Sequence, residues 1–289
     1  SIVIDVKDYS GHISFEVSDP VLKKAGAAEK RIPDVVEFIN YLHQKNIYVI
    51  ARISVFQDVY LVKKRPDLAV KRKDGTIWKD YKGIAWLNPA SAEVWDYIIR
   101  VAKEAEAVGF DELNFDYIRY PSDGDMKNII LPYASGAKTK AESLKVFFAY
   151  LSAELLPLKI PLSVDLFGFT TTHSDDLNIG QILEDAAPYF DYISPMVYPS
   201  HYPKGYENYS NPADHPYEVI ILAMKTGSEK LLAASSTPSK LRPWLQDFDL
   251  GATYTAEMVR KEKQAVYDAG LDSWLLWDPS NKYTKEALD

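Results

Sequence analysis

Three aspartates have the types and spacing to do chemistry together: Asp116 in GFDELNFDYIRYPSDG, Asp165 in PLSVDLF and Asp278 in SWLLWD. Each lies toward the end of a short apolar run. A buried carboxylate costs several kcal/mol unless something compensates for it. Three of them at the ends of three such runs therefore read as an acidic site rather than as core. Paired carboxyls suit glycoside cleavage: one protonates the leaving oxygen, while the other attacks the sugar or activates water. Asp116 is the candidate nucleophile or base, Asp165 the candidate acid, and Asp278 an alternative partner or a third, tuning group. Arg119 and Tyr120, just past Asp116, can place a charge-assisted hydrogen bond on it.

Other chemistries find little support. The chain has no cysteine, and its five histidines (12, 43, 173, 201 and 215) form no H-x-H or H-E-x-x-H pattern. No metal site and no cofactor are expected. No G-x-S-x-G elbow supports a serine nucleophile, and no G-x-G-x-x-G loop supports a nucleotide. Lys7 is the one lysine expected inside the fold, and acidic neighbours would keep it protonated.

The elements that must position these acids alternate. Strand runs are expected at Ile2–Lys7, Ile47–Val55, Glu112–Ile118, Pro161–Phe167, Tyr192–Tyr198, Leu241–Phe248 and Ser273–Asp278. Amphipathic helix patterns lie between them, in PDVVEFINYLHQKN, ASAEVWDYIIRVAKEAEAVG and TAEMVRKEKQAVYDAG. Gly109 and Gly270 stand where two of these helices would stop. Ser91 faces Val94 and Thr255 faces Met258 at the capping-box spacing, so neither is a capping box; those starts rest on periodicity and on Pro89. Strand–helix alternation with nearly continuous apolar strands implies a parallel sheet covered by helices. Seven units are visible. The expected fold is a (β/α)8 TIM barrel forming a single domain over residues 1–289, with the first strand–helix unit missing upstream of Ser1.

Barrel strands alternate between the interior and the helix layer. In each run one set is purely apolar and the other mixed, and the polar members of the mixed set fall toward the C-terminal end. The interior mouth is expected to hold Asp5, Lys7, Arg52, Asn114, Asp116, Asp165, Tyr198, Trp244, Gln246 and Asp278. Of these, Asp5, Lys7, Arg52, Asn114, Tyr198, Trp244 and Gln246, together with Arg119 and His201 from the rim, are the expected sugar-binding residues. Asp111 and Glu112 should reach solvent at the opposite end of their strand. The tyrosine- and proline-rich loop Tyr198–Tyr217 should be a rigid aromatic cover, with Trp78 and Trp86 in the other long loop.

Composition fits this reading. The 289 residues carry 20 Tyr, 11 Phe and 6 Trp, and aromatic faces stack on sugar rings. A net charge of −8 and the lack of a basic stripe argue against nucleic acid as a partner. No apolar run reaches the length of a membrane span.

VIDVKDYSG, ARISVFQD, DGTIWKDYKGIAWLNP, GFDELNFDYIRYPSDG, DYISPMVYPSHY, RPWLQDF and WLLWDPSN, in this order, resemble a bacterial glycoside hydrolase family, a TIM-barrel domain formerly classed as one of unknown function. The resemblance covers nearly the whole chain. It implies a carbohydrate substrate, an extracellular or cell-envelope location and, with one strand upstream, Asp116 on the fourth strand and Asp165 on the fifth. A looser likeness to the chitinase D-G-x-D-x-D-x-E strand fails at its key position, where Ile118 stands for the catalytic glutamate. A paired-carboxylate hydrolase acting on a poly- or oligosaccharide as a monomer is the expected function. The alternative is a carbohydrate-binding barrel without catalysis.

Overall fold

A computed structural model describes residues 1–288. The chain forms two compact units, Ser1–Val164 with Asn178–Gln181, and Asp165–Leu177 with Ile182–Asp289.

In the first unit, β1 (Ile2–Lys7), β2 (Val49–Ser54), β4 (Glu112–Asp116) and the first half of β6 (Leu162–Phe167) lie parallel in that order. Ala51 is registered between Ile4 and Leu113, Arg52 between Asp5 and Asn114, and Ser54 beside Asp116. Leu113, Asn114 and Phe115 face Leu162, Ser163 and Val164. The helices are α1 (Pro20–Ala25), α2 (Val35–Gln44), α3 (Val59–Lys64), α4 (Ala92–Ala107) and α5 (Lys140–Leu155). The apolar sets of the strands, such as Ala51, Ile53, Leu113 and Phe115, are fully buried together with Val94, Ile98 and Ala102 of α4. That core fixes which way the alternate polar residues point. A small antiparallel pair, β3 (Lys71–Arg72) with β5 (Ile129–Ile130), ties the segment after β2 to the segment after β4. Sequence patterning does not anticipate it.

In the second unit, β7 (Tyr192–Met196), β8 (Trp244–Gln246) and β9 (Leu275–Trp277) are parallel neighbours. They accompany α6 (Leu183–Ala186), α7 (Pro216–Ala233) and α8 (Ala256–Asp268). The parallel α/β class is as expected. Among the described residues there are four parallel strands in one unit and three in the other, matching the seven strand runs read from the sequence.

Three expectations need correction. Ser91 and Thr255 do cap α4 and α8, their hydroxyls accepting the N–H groups of Val94 and Met258. An N-cap serine or threonine works without a capping-box partner. Second, β4 stops at Asp116, because Tyr117 turns into the left-handed region at φ 49°. Third, Glu112 does not reach solvent but is fully buried. It shares its side of β4 with Asn114 and Asp116, and its carboxylate accepts Ser163 Oγ at 2.5 Å and Tyr48 Oη at 3.2 Å. Asp111 at the strand entrance accepts Val49 N at 2.7 Å and contacts His43 at 3.0 Å.

Candidate active site

In the first unit the site is built around Arg52. Residues 5, 52 and 114 are in register, and Asp116 ends β4, so all four side chains come from neighbouring strands. One guanidinium nitrogen of Arg52 donates to Asp5 Oδ1 at 2.7 Å and another to Asp116 Oδ2. Asp116 is 5% exposed, and its Oδ1 accepts the N–H of Tyr117 at 2.6 Å. Its carboxyl is thus held from two sides at the C-terminal end of a strand, the end where parallel α/β folds build their sites. Asp5 reaches toward solvent on the far side of the same guanidinium.

The cation on Asp116 is Arg52, whereas the sequence places Arg119 there. Arg119 donates to Tyr120 O at 3.0 Å and to Ser122 Oγ at 3.1 Å, and its guanidinium lies 4.8 Å over the Trp86 ring. Trp78 and Trp86 are packed inside their loop, not offered to a ligand. Lys7 is also corrected. It does point inward, but its side chain is wholly buried, with Nζ 3.0 Å from Asp58 and donating to Ser54 O at 2.7 Å. Its charge is neutralised within the fold, so a direct contact with substrate is ruled out by burial in this structure. Asn114 is likewise fully buried and donates to Ser163 Oγ at 3.1 Å.

Tyr117 is the residue that sequence reasoning misses. It is the only bulky residue in the Asp116-to-Arg119 turn that takes positive φ. A side chain there costs roughly 1–2 kcal/mol, and such strain clusters at functional sites. Its ring meets Trp86 edge-on at 6.4 Å and lies 6.0 Å from the Arg119 guanidinium. Burial, and then the negative charge of Asp116, push its phenol above the usual 10, keeping it a hydrogen-bond donor. Its signal in the sequence is its place directly after the key aspartate.

In the second unit, Asp165 is 1% exposed and accepts Trp244 Nε1 at 2.8 Å. The Trp244 ring meets Trp277 edge-on at 5.8 Å. Gln246 is buried; its Oε1 accepts Ser200 N at 3.2 Å and its Nε2 donates to Phe248 O at 2.9 Å. It thereby fixes the start of the tyrosine-rich loop. Tyr198 packs against His201 at 5.3 Å and Phe248 at 5.5 Å, leaving the His201 side exposed. Asp278 follows β9 and closes a turn by accepting Ser280 N at 2.5 Å and Ser280 Oγ at 2.6 Å. Tyr202 is buried in a cluster with Phe169 and Tyr206, each 4.6 Å away. That part of the loop is packed.

Among the described residues no group of three or more His, Asp or Glu could hold a metal ion, and no helix is long and apolar enough to cross a membrane.

Each unit of this parallel α/β protein thus carries a buried carboxyl held by a donor, Asp116 in the first and Asp165 in the second. Residues 1–283 match the family described as "Putative glycosyl hydrolase domain", and the chain belongs to that family. It is 34% identical to a hypothetical protein from Ruminiclostridium thermocellum over 61% of this chain and 83% of the other, with a TM-score of 0.50. An alpha-L-fucosidase isoenzyme from Paenibacillus thiaminolyticus shares the fold over 99% of this chain and 42% of its own, at 13% identity and a TM-score of 0.62. A spore cortex-lytic enzyme from Bacillus megaterium shares it over 87% and 61%, at 11% identity and a TM-score of 0.52. The chain therefore spans less than two thirds of either enzyme. No curated protein matches it.

Proposed function

We propose that this chain is a glycoside hydrolase of the (β/α)8 class that cleaves a poly- or oligosaccharide with paired carboxylates. Asp116 is the nucleophile or base, Asp165 the acid, and Asp278 a reserve acid. The observation that carries the reading is Asp116, held by Arg52 and by the Tyr117 N–H at the end of β4. Charge-assisted bonds of this kind fix a carboxylate in one orientation, as attack on a sugar carbon or on a water proton requires. The Trp244 indole beside Asp165 gives the second carboxyl a different setting. Unlike environments are how two like acids take unlike roles. Family membership and the fold shared with glycosidases support the reaction class.

Asp5, Arg52, Arg119, Tyr198, His201 and Trp244 are assigned to sugar binding. Lys7, Asn114 and Gln246 are assigned to holding the strands and loops that carry these residues. A polysaccharide substrate goes with an extracellular or envelope location.

The second reading is a carbohydrate-binding barrel without catalysis. It is favoured by Asp116 already being engaged with Arg52, an ion pair that also serves the fold. Reducing-end release by the wild-type protein, measured across a panel of plant, fungal and bacterial polysaccharides with binding followed in parallel, separates the two. Release from any member supports the hydrolase. Binding without release supports the second reading and contradicts the first.

A further inference from the structure

Tyr81 is 83% exposed, the most of any large apolar side chain among the described residues. The turn that displays it is firmly bonded. Gly83 N donates to Asp80 O at 2.9 Å, and Asp80 Oδ1 accepts the N–H groups of Lys82 at 3.0 Å and Ile84 at 2.9 Å. Tyr81 N itself donates to Asp123 Oδ1 at 3.1 Å. From below, Gly124 fits only because it lacks a side chain: a Cβ there would lie 2.7 Å from Trp78 Cζ2 and 3.1 Å from Asp80 Cα. Exposure of the ring gains nothing from burial. A rigid aromatic, however, loses little entropy when a ligand docks, which is why binding surfaces use such rings.

The same frame runs back to Asp116. Asp80 Oδ2 accepts Trp86 Nε1 at 3.0 Å, Arg119 lies over Trp86, and Tyr117 meets Trp86 edge-on before donating its N–H to Asp116. The segments carrying these residues follow β2 and β4, on the side where Asp116 lies. Lys79, Lys82 and Asp123 flank Tyr81 and are exposed. An aromatic face bordered by amines and a carboxylate matches a pyranose, which has a C–H face and a rim of hydroxyls.

We propose that the Asp80–Gly83 turn is a glycan subsite remote from the bond that is broken, with the Tyr81 ring stacking on a sugar of the same chain. The substrate is then a chain of several sugars rather than a simple glycoside. This inference rests on the glycoside hydrolase reading.

The test is titration calorimetry in the Asp116→Asn background, where turnover does not interfere. Di- and hexasaccharides of the cello-, chito-, xylo- and galacto- series are the probes, with and without Tyr81→Ala or Tyr81→Trp. Tyr81→Ala should weaken the bound hexasaccharide about tenfold, the disaccharide less than twofold, and leave Tm within about 1 °C. Tyr81→Trp should retain hexasaccharide binding. Equal hexasaccharide affinity in Tyr81→Ala and its parent overturns the subsite and leaves the hydrolase reading standing. No binding of any series by the parent counts against both.

Discussion

At the scale of single residues, two side chains stand out because the fold tolerates them at a cost. Tyr117 occupies a left-handed backbone position that glycine or asparagine would take more easily, and its phenol is kept protonated among Asp116, Arg52 and Arg119. If that phenol donates to substrate or to the developing charge, Tyr117→Phe should lower kcat/KM about tenfold or more while Tm stays within about 2 °C. Unchanged kcat/KM would confine Tyr117 to packing. The second is Glu262, fully buried on α8. Its Oε2 accepts Gln246 N at 2.9 Å, its Oε1 accepts the Tyr254 hydroxyl, and Asp247 adds negative charge nearby. Burial pushes this carboxyl well above its ordinary 4.5. A raised acid favours the folded state fully below the ordinary value, and that contribution is lost as pH rises through the folded value. In Glu262→Gln the amide oxygen can accept the Gln246 N–H while the amide NH2 donates to the Tyr254 hydroxyl oxygen, with no charge to bury. The variant should therefore gain in Tm relative to wild type as pH rises from about 5 to 8. A difference that does not change with pH would contradict the assignment.

At the scale of elements, the strands are legible where burial alone decides them. The β1 run Ile2–Lys7 coincides with the observed strand residue for residue. Where local chemistry intervenes, the pattern overreaches. The run Leu241–Phe248 narrows to Trp244–Gln246, because Pro243 has no N–H to give a ladder. The β4 run ends two residues early because Tyr117 leaves the extended region. Alternation correctly puts Asp116 on the same side of β4 as Asn114, and the same rule puts Glu112 there. The appeal to solvent at the strand end is the error, since Ser163 and Tyr48 supply the missing donors. Adjacency in sequence points to Arg119 as the partner of Asp116, whereas Arg52 reaches it from the next strand. A parallel register is not visible in one strand's residues. The loops after β2 and β4 depend on a glycine at one point of close approach. Gly124, at φ 92°, has no room for a side chain. Gly124→Ala should destabilise the chain by about 1–3 kcal/mol, a Tm loss of about 2 °C or more, with Trp78 and Asp80 displaced. A melting curve like that of wild type would show that the two loops are not packed as described.

At the scale of the whole molecule, the chain belongs to a glycosyl hydrolase family, and its parallel α/β units each carry a buried aspartate beside a strand end. The sequence shows the candidate acids and their strand runs; which partners hold them depends on strand register, which only the fold reveals. The claim that most depends on this arrangement is that Asp116 does chemistry. The direct measurement is the rate of reducing-end release by Asp116→Asn beside wild type, on a polysaccharide that wild type cleaves, with folding checked by circular dichroism. The amide oxygen introduced by this substitution can still accept from Arg52 or from the Tyr117 N–H, so the variant should fold. Its rate should fall about 10³-fold or more. A folded variant that cleaves at the wild-type rate would remove Asp116 from the reaction.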